Sequence, residues 1–194
     1  MNPSCVELLF AHDLIRFVMR QHRLTWMPAD IVYFYRHTCV TKFTYAIGMA
    51  VIEMTDVLKM KIKEKFKYMC ENGFTSNRHF EMEMKSSALM EFNNGFQLRK
   101  FLAFCGMVIG LAIRFYLIGC SQAPYQAVAV IAEVMMDNKE SFREIGGWNA
   151  LQEESIDILS SNVSSCGCFS RFQIPLFRTQ DQRSQLISCR LFRH

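Results

Sequence analysis

Apolar residues recur every three to four positions along most of this chain. Over 5–21, Val6, Leu9, Phe10, Leu14, Phe17 and Val18 make one stripe, with Glu7, His12, Asp13, Arg16 and Arg20 off it. That spacing predicts a helix with one buried face. Ser4 after Pro3 suits a cap, with Glu7 at the capping-box position. Residues 22–42 hold Trp26, Pro28, Tyr33, Phe34 and Tyr35 and read as a loop with a short helix. Ile47, Val51, Met54, Leu58, Ile62, Phe66 and Met69 then predict one helix over 43–70, stopped by Asn72-Gly73. A brief period-two alternation in 57–67 would suit a strand, but its Met and Lys residues favour a helix. A shorter amphipathic helix follows over 77–92 around Phe80, Met84, Ala88 and Phe92.

The most apolar segment is 96–119, where Arg114 is the only charge between 101 and 120. A membrane span needs about 20 apolar residues, and this segment has the length. A helix buried on all sides inside a bundle has the same composition, and the amphipathic segments around it favour that reading. A further helix over 123–137 starts with Pro124 near its first turn, and a last helical stretch runs to about 160. Beyond it, 171–194 carries five Arg against one Asp, which reads as a poorly ordered basic tail over 161–194. Its arginines break up every apolar run, so a membrane anchor there is not expected. The layout is all-α: seven or eight helices in a domain over 1–160, the apolar one in the middle.

Composition narrows the function classes. The chain of 194 residues is 51% hydrophobic and 21% charged, which excludes disorder for most of its length. A net charge of +4 is too small to argue for nucleic acid. The lysines at 59, 61, 63, 65 and 67 read as the solvated side of a helix. No C-x-x-C pair occurs among the 8 cysteines, so a zinc site is not expected. Glu7, Asp13 and Arg16 interrupt the early apolar run, so no signal peptide is expected, and reduced thiols in the cytoplasm are. There is no Gly-rich phosphate loop, no H-E-x-x-H and no G-x-S-x-G, so neither an enzyme nor a cofactor is expected.

Two segments rise above this background. The first is Asn94-Gly95-Phe96-Gln97-Leu98-Arg99-Lys100-Phe101-Leu102-Ala103-Phe104; the second is Phe142-Arg143-Glu144-Ile145-Gly146-Gly147-Trp148-Asn149-Ala150-Leu151. They resemble the first and second homology motifs of the Bcl-2 family of apoptosis regulators, D-G-x-N-W-G-R-[IV]-V-A-[FL] and W-[IL]-x-x-x-G-G-W-x-x-[FL]. Val51-Ile52-Glu53-Met54-Thr55-Asp56, followed by Leu58, Met60, Ile62 and Phe66, is similar to the third, L-x-x-x-G-D with trailing apolar positions. The resemblance covers 5–160. His22-Arg23-Leu24-Thr25-Trp26 and Lys100 are similar to the Bok-like branch.

The resemblance implies a bundle whose central helix is wrapped by amphipathic ones, with a trough that holds a partner's amphipathic helix. Leu58, Ile62, Phe66 and Met69 would form one wall; Gln97, Lys100, Ala103 and Met107 would form the other, joined by Met90. Apolar residues at helical spacing serve a core before a groove, so Arg99 and Lys100 are the sharper test. Lys100 stands where the family has the arginine that pairs with a partner's Asp, and Arg99 where it has a glycine. Val51, Thr55, Asp56 and Leu58 would be the chain's own death-motif helix, with Thr55 replacing the motif's glycine. Gly146, Gly147 and Trp148 would be structural, a turn and a packed ring at the start of the last helix.

The implied partners are other Bcl-2 family proteins, including homo- or hetero-dimers, with peripheral contact to the mitochondrial outer membrane or other intracellular membranes. Two other readings stand beside this one. A pore-forming, death-promoting relative would use the apolar helix to permeabilise that membrane, and an unrelated membrane protein would span it at 101–120.

Overall fold

The computed structural model describes residues 5–27, 36–73 and 77–165. Among these it is all-helical, with eight helices and no strand. They are α1 (Cys5–Gln21), α2 (Tyr45–Val57), α3 (Lys59–Glu71), α4 (Asn77–Phe92), α5 (Leu98–Leu117), α6 (Ala123–Asp137), α7 (Lys139–Glu144) and α8 (Gly147–Ser165). Ser4 and the tail from 166 onward lie outside the described residues, and α8 runs past its expected end to Ser165.

α5 is the axis of the bundle. Phe101, Leu102, Cys105, Val108, Ile109 and Leu111 are wholly buried in it, and α2, α3, α6 and α8 pack against it. α1 lies along α6, while α2 is gripped between α5 and α8. Leu98–Leu117 is long and apolar enough to cross a membrane, and 67% of its most apolar window is buried inside the bundle. Burial makes Cys105 a poor nucleophile, pushing its thiol pKa far up.

Caps and turns explain the boundaries. Thr44 caps α2, its hydroxyl accepting from the Ile47 amide at 3.5 Å. Pro124 opens α6. Gly146 holds φ +102° between α7 and α8, and a Cβ there would stand 2.8 Å from the Ala150 Cβ. Directly after it the Trp148 ring packs on Phe10 at 4.8 Å and Phe142 at 5.1 Å between centroids.

Two expectations are corrected. The single helix over 43–70 is two, broken at Leu58, whose backbone leaves the helical region at φ −87°, ψ 3°. One turn earlier the Thr55 hydroxyl donates to the Val51 carbonyl at 2.8 Å, a back-bond that bends helices. Beyond the break α3 packs against α5, whereas α2 also packs against α1 and α8. The second correction concerns the thiols. Cys5 and Cys39 form a disulfide, their Cα atoms 6.4 Å apart, because the segment before α2 returns to the start of α1. The adjoining Arg36 pairs with Asp13 of α1, fixing the same return.

Candidate partner-helix groove

From Lys100 to Arg114, α5 is fully buried except at four positions: Lys100, Ala103, Met107 and Arg114. Their steps of three, four and seven residues put them on one line down the helix. Between Lys100 and Arg114 the central helix therefore leaves one half-open strip.

Helices α3 and α4 flank this strip. Ile62 of α3 packs beside Gly110, where a Cβ would stand 2.7 Å from its Cδ1, and Phe66 stacks edge-on to Phe115 at 5.0 Å. Phe80 of α4 meets Phe115 at 5.7 Å, and Phe92 meets Phe104, also at 5.7 Å. So α3 runs with α5 and α4 runs against it. The two helices are tied near their middles by a Lys65–Glu83 ion pair. Met90, 65% exposed, lies seven residues after Glu83 on the same face of α4. The other flank of α4 is fastened to α6 by Lys85 and Glu133 at 2.6 Å, with Glu81 at 2.8 Å. Hydrogen bonds to these two carboxylates raise the Lys85 pKa.

The residues expected for the groove do not share one environment. Ile62, Phe66 and Met69 are buried core residues of α3. Leu58 is half-buried at the α2–α3 break, between Thr55 and Ile62, both of which touch the Gly110 position of α5. Lys100, Ala103 and Met107 lie on the open strip, while Gln97 is exposed at the start of α5. Leu58 and Lys100 therefore both border the side of α5 on which the strip lies.

The cations define the electrostatics. Lys100 is half-buried and makes no hydrogen bond or ion pair among the described residues. Arg99 does not lie over the strip: its Nε donates to Glu154 Oε1 of α8 at 2.9 Å. Arg114 holds its guanidinium 5.8 Å from the Phe66 ring centre, and burial lowers its pKa.

The chain's own third-motif helix is turned inward. Val51 is buried, Thr55 rests on Gly106, and Asp56 is exposed. Burial lowers the His22 pKa, and the Asp56 charge partly offsets this. Arg114, Glu83 and Glu154 were not assigned to the groove from the sequence. The first was legible as the next step on the line through Lys100, Ala103 and Met107; the other two depend on which helices meet. Among the described residues no three His, Cys, Asp or Glu side chains gather as a metal site.

No protein-family model, no curated protein and no solved structure matches the chain.

Proposed function

We propose that this chain is a Bcl-2-like regulator of apoptosis that captures a partner's amphipathic helix over the α5 strip. The observation that carries the reading is Lys100, a half-buried ammonium without a carboxylate partner among the described residues, in line with Ala103 and Met107 on a floor between two helices. A half-buried cation is less well hydrated than an exposed one, so an incoming carboxylate gains more from meeting it. Ala103 leaves room for the partner's backbone, Met107 adapts to its apolar side chains, and Leu58 and Met90 offer walls. The family part of this reading rests on the resemblance of the segments at 51–56, 94–104 and 142–151 to its motifs. Other proteins of that family, cytoplasmic or on the mitochondrial outer membrane, are the partners it suggests.

The test is a fluorescence titration with a labelled amphipathic helix carrying one Asp in its apolar face. Saturable binding at micromolar protein, weakened roughly tenfold or more by Lys100→Glu, supports the reading. Absence of saturable binding overturns it.

A second reading, membrane permeabilisation, rests on the apolar length of Leu98–Leu117. It requires α5 to leave the core, and dye release from liposomes of mitochondrial outer-membrane lipid composition tests it.

A further inference from the structure

The end of α1 builds a cavity that shares no residue with the groove. Arg23 takes a left-handed φ of +57°; its amide donates to the Arg20 carbonyl at 2.9 Å, and the Leu24 amide donates to the Met19 carbonyl at 3.0 Å. This pair of bonds is a Schellman cap, which turns the chain back at a helix end. The segment 24–27 is then held by two tyrosines. The Tyr116 hydroxyl donates to the Thr25 carbonyl at 2.7 Å, and the Tyr125 hydroxyl donates to the Met27 carbonyl. Between this segment and α1 lies a cavity of about 250 Å³, whose walls include Arg16, Met19, Arg20, Leu24, Trp26 and Met27.

The walls are cationic and rich in donors. Arg16 and Arg20 stand one turn apart on one face of α1, and neither meets a carboxylate among the described residues. Asp13, three positions before Arg16, is engaged by Arg36 and His12 instead. Arg16 is half-buried, and like charges at this spacing repel, so an anion between the two guanidiniums removes a standing cost. Trp26 is 7% exposed, and its indole N–H is buried without an acceptor. The one other buried side-chain polar atom left unpaired among the described residues is His12 Nε2, whose ring lies 5.2 Å from that of Trp26. A buried donor without an acceptor is costly and uncommon in folded proteins. We propose that this cavity binds a phosphomonoester, its dianion held by Arg16 and Arg20 with the Trp26 N–H as a third donor. A carboxylate fills one guanidinium fork, whereas three phosphate oxygens can accept from two forks and an indole. Met19, Leu24 and Met27 give the carbon part of the ester an apolar seat, and the volume suits a headgroup-sized ligand. The site stands independently of the helix-binding reading.

The chain has two tryptophans, so two indole signals report on it in a nitrogen–proton correlation spectrum, and Trp148→Phe assigns them. Phenyl phosphate titrated into the full chain at low salt should move the Trp26 signal saturably to higher frequency, as a newly hydrogen-bonded N–H does, and leave Trp148 in place. Arg20 is exposed, so Arg20→Gln keeps the fold and should weaken binding about fivefold to tenfold. Arg16→Gln should weaken it at least as much. Arg143→Gln, the same charge change on α7, should leave the affinity unchanged. A short-chain phosphatidic acid, kept below its micelle concentration, separates the two sources of the group. Tighter binding than phenyl phosphate assigns a lipid headgroup, and weaker binding assigns a soluble ester. Inorganic phosphate binding as tightly as either ester would overturn the assignment of an ester. A Trp26 signal unmoved by both esters, or an affinity unchanged in both Arg16→Gln and Arg20→Gln, overturns the site.

Discussion

The Thr55 amide nitrogen lies 3.0 Å, and its hydroxyl oxygen 3.1 Å, from where a Cβ on Gly106 would stand. Thr55 occupies the position that the resembled motif gives to glycine, and the space for its larger side chain comes from the opposite helix. Gly106, and Gly110 one turn on, let α2 and α3 approach the axis of the bundle closely. Gly106→Val should therefore cost about 1–3 kcal/mol by overpacking, read from urea denaturation. No loss of stability would show that the α2–α5 contact is looser than described.

Gly146 and Gly147 both have positive φ, at +102° and +60°, but their surroundings differ. A Cβ at Gly146 meets the Ala150 Cβ at 2.8 Å, whereas one at Gly147 finds ordinary contact at 3.9 Å. Gly146→Ala should destabilise by about 1–3 kcal/mol. Gly147→Asn, in a conformation that asparagine tolerates, should cost less. Equal melting temperatures for the two variants would contradict this account of the turn.

Much of the bundle was legible because its signals are local. The 5–21 stripe, the 77–92 and 123–137 segments and the apolar 96–119 run each gave a helix within a few residues of α1, α4, α6 and α5. The break at Leu58 was not legible: no Gly or Pro marks it, and it arises where Thr55 back-bonds and the packing partners change. The Cys5–Cys39 pairing was hidden too, since 34 positions separate two cysteines with no motif between them. Of the candidate site, Lys100, Ala103 and Met107 followed from motif register. The turn of Arg99 toward α8 depended on Glu154, 55 residues away, and no local pattern encodes it.

The Cys5–Cys39 bond ties the segment before α2 to the start of α1 across 34 positions. Closing a loop of that length stabilises by about 2–4 kcal/mol through the unfolded chain. Cys39→Ser should lower the unfolding free energy by that amount, and reductant should do the same to the unaltered protein but not to the variant. Alkylation followed by intact-mass measurement reports the bond directly. A protein in which both thiols alkylate without reductant would refute the pairing.

Asp13 links stability to acidity. Burial alone would raise its pKa, but the hydrogen bond with His12, the Arg36 charge and the Thr41 hydroxyl together lower it. A carboxyl depressed in the folded state contributes stability above its unfolded pKa of about 4, and loses it as pH falls through the folded value. Arg36→Gln should thus be less stable than the unaltered chain above about pH 4 and converge with it in stronger acid. Denaturation midpoints measured across that range check this; parallel curves would remove Asp13 as the cause.

Methionine methyl signals report the groove most directly. Met107 lies on the strip and Met90 on its α4 wall, whereas Met19 of α1 and Met135 of α6 are each 1% exposed in the core. In a methyl NMR titration with the Asp-bearing amphipathic helix, Met90 and Met107 should shift in step with saturation, while Met19 and Met135 stay in place. Shifts confined to Met19 and Met135, with Met107 unmoved at saturating helix, would contradict a binding site between α3 and α4.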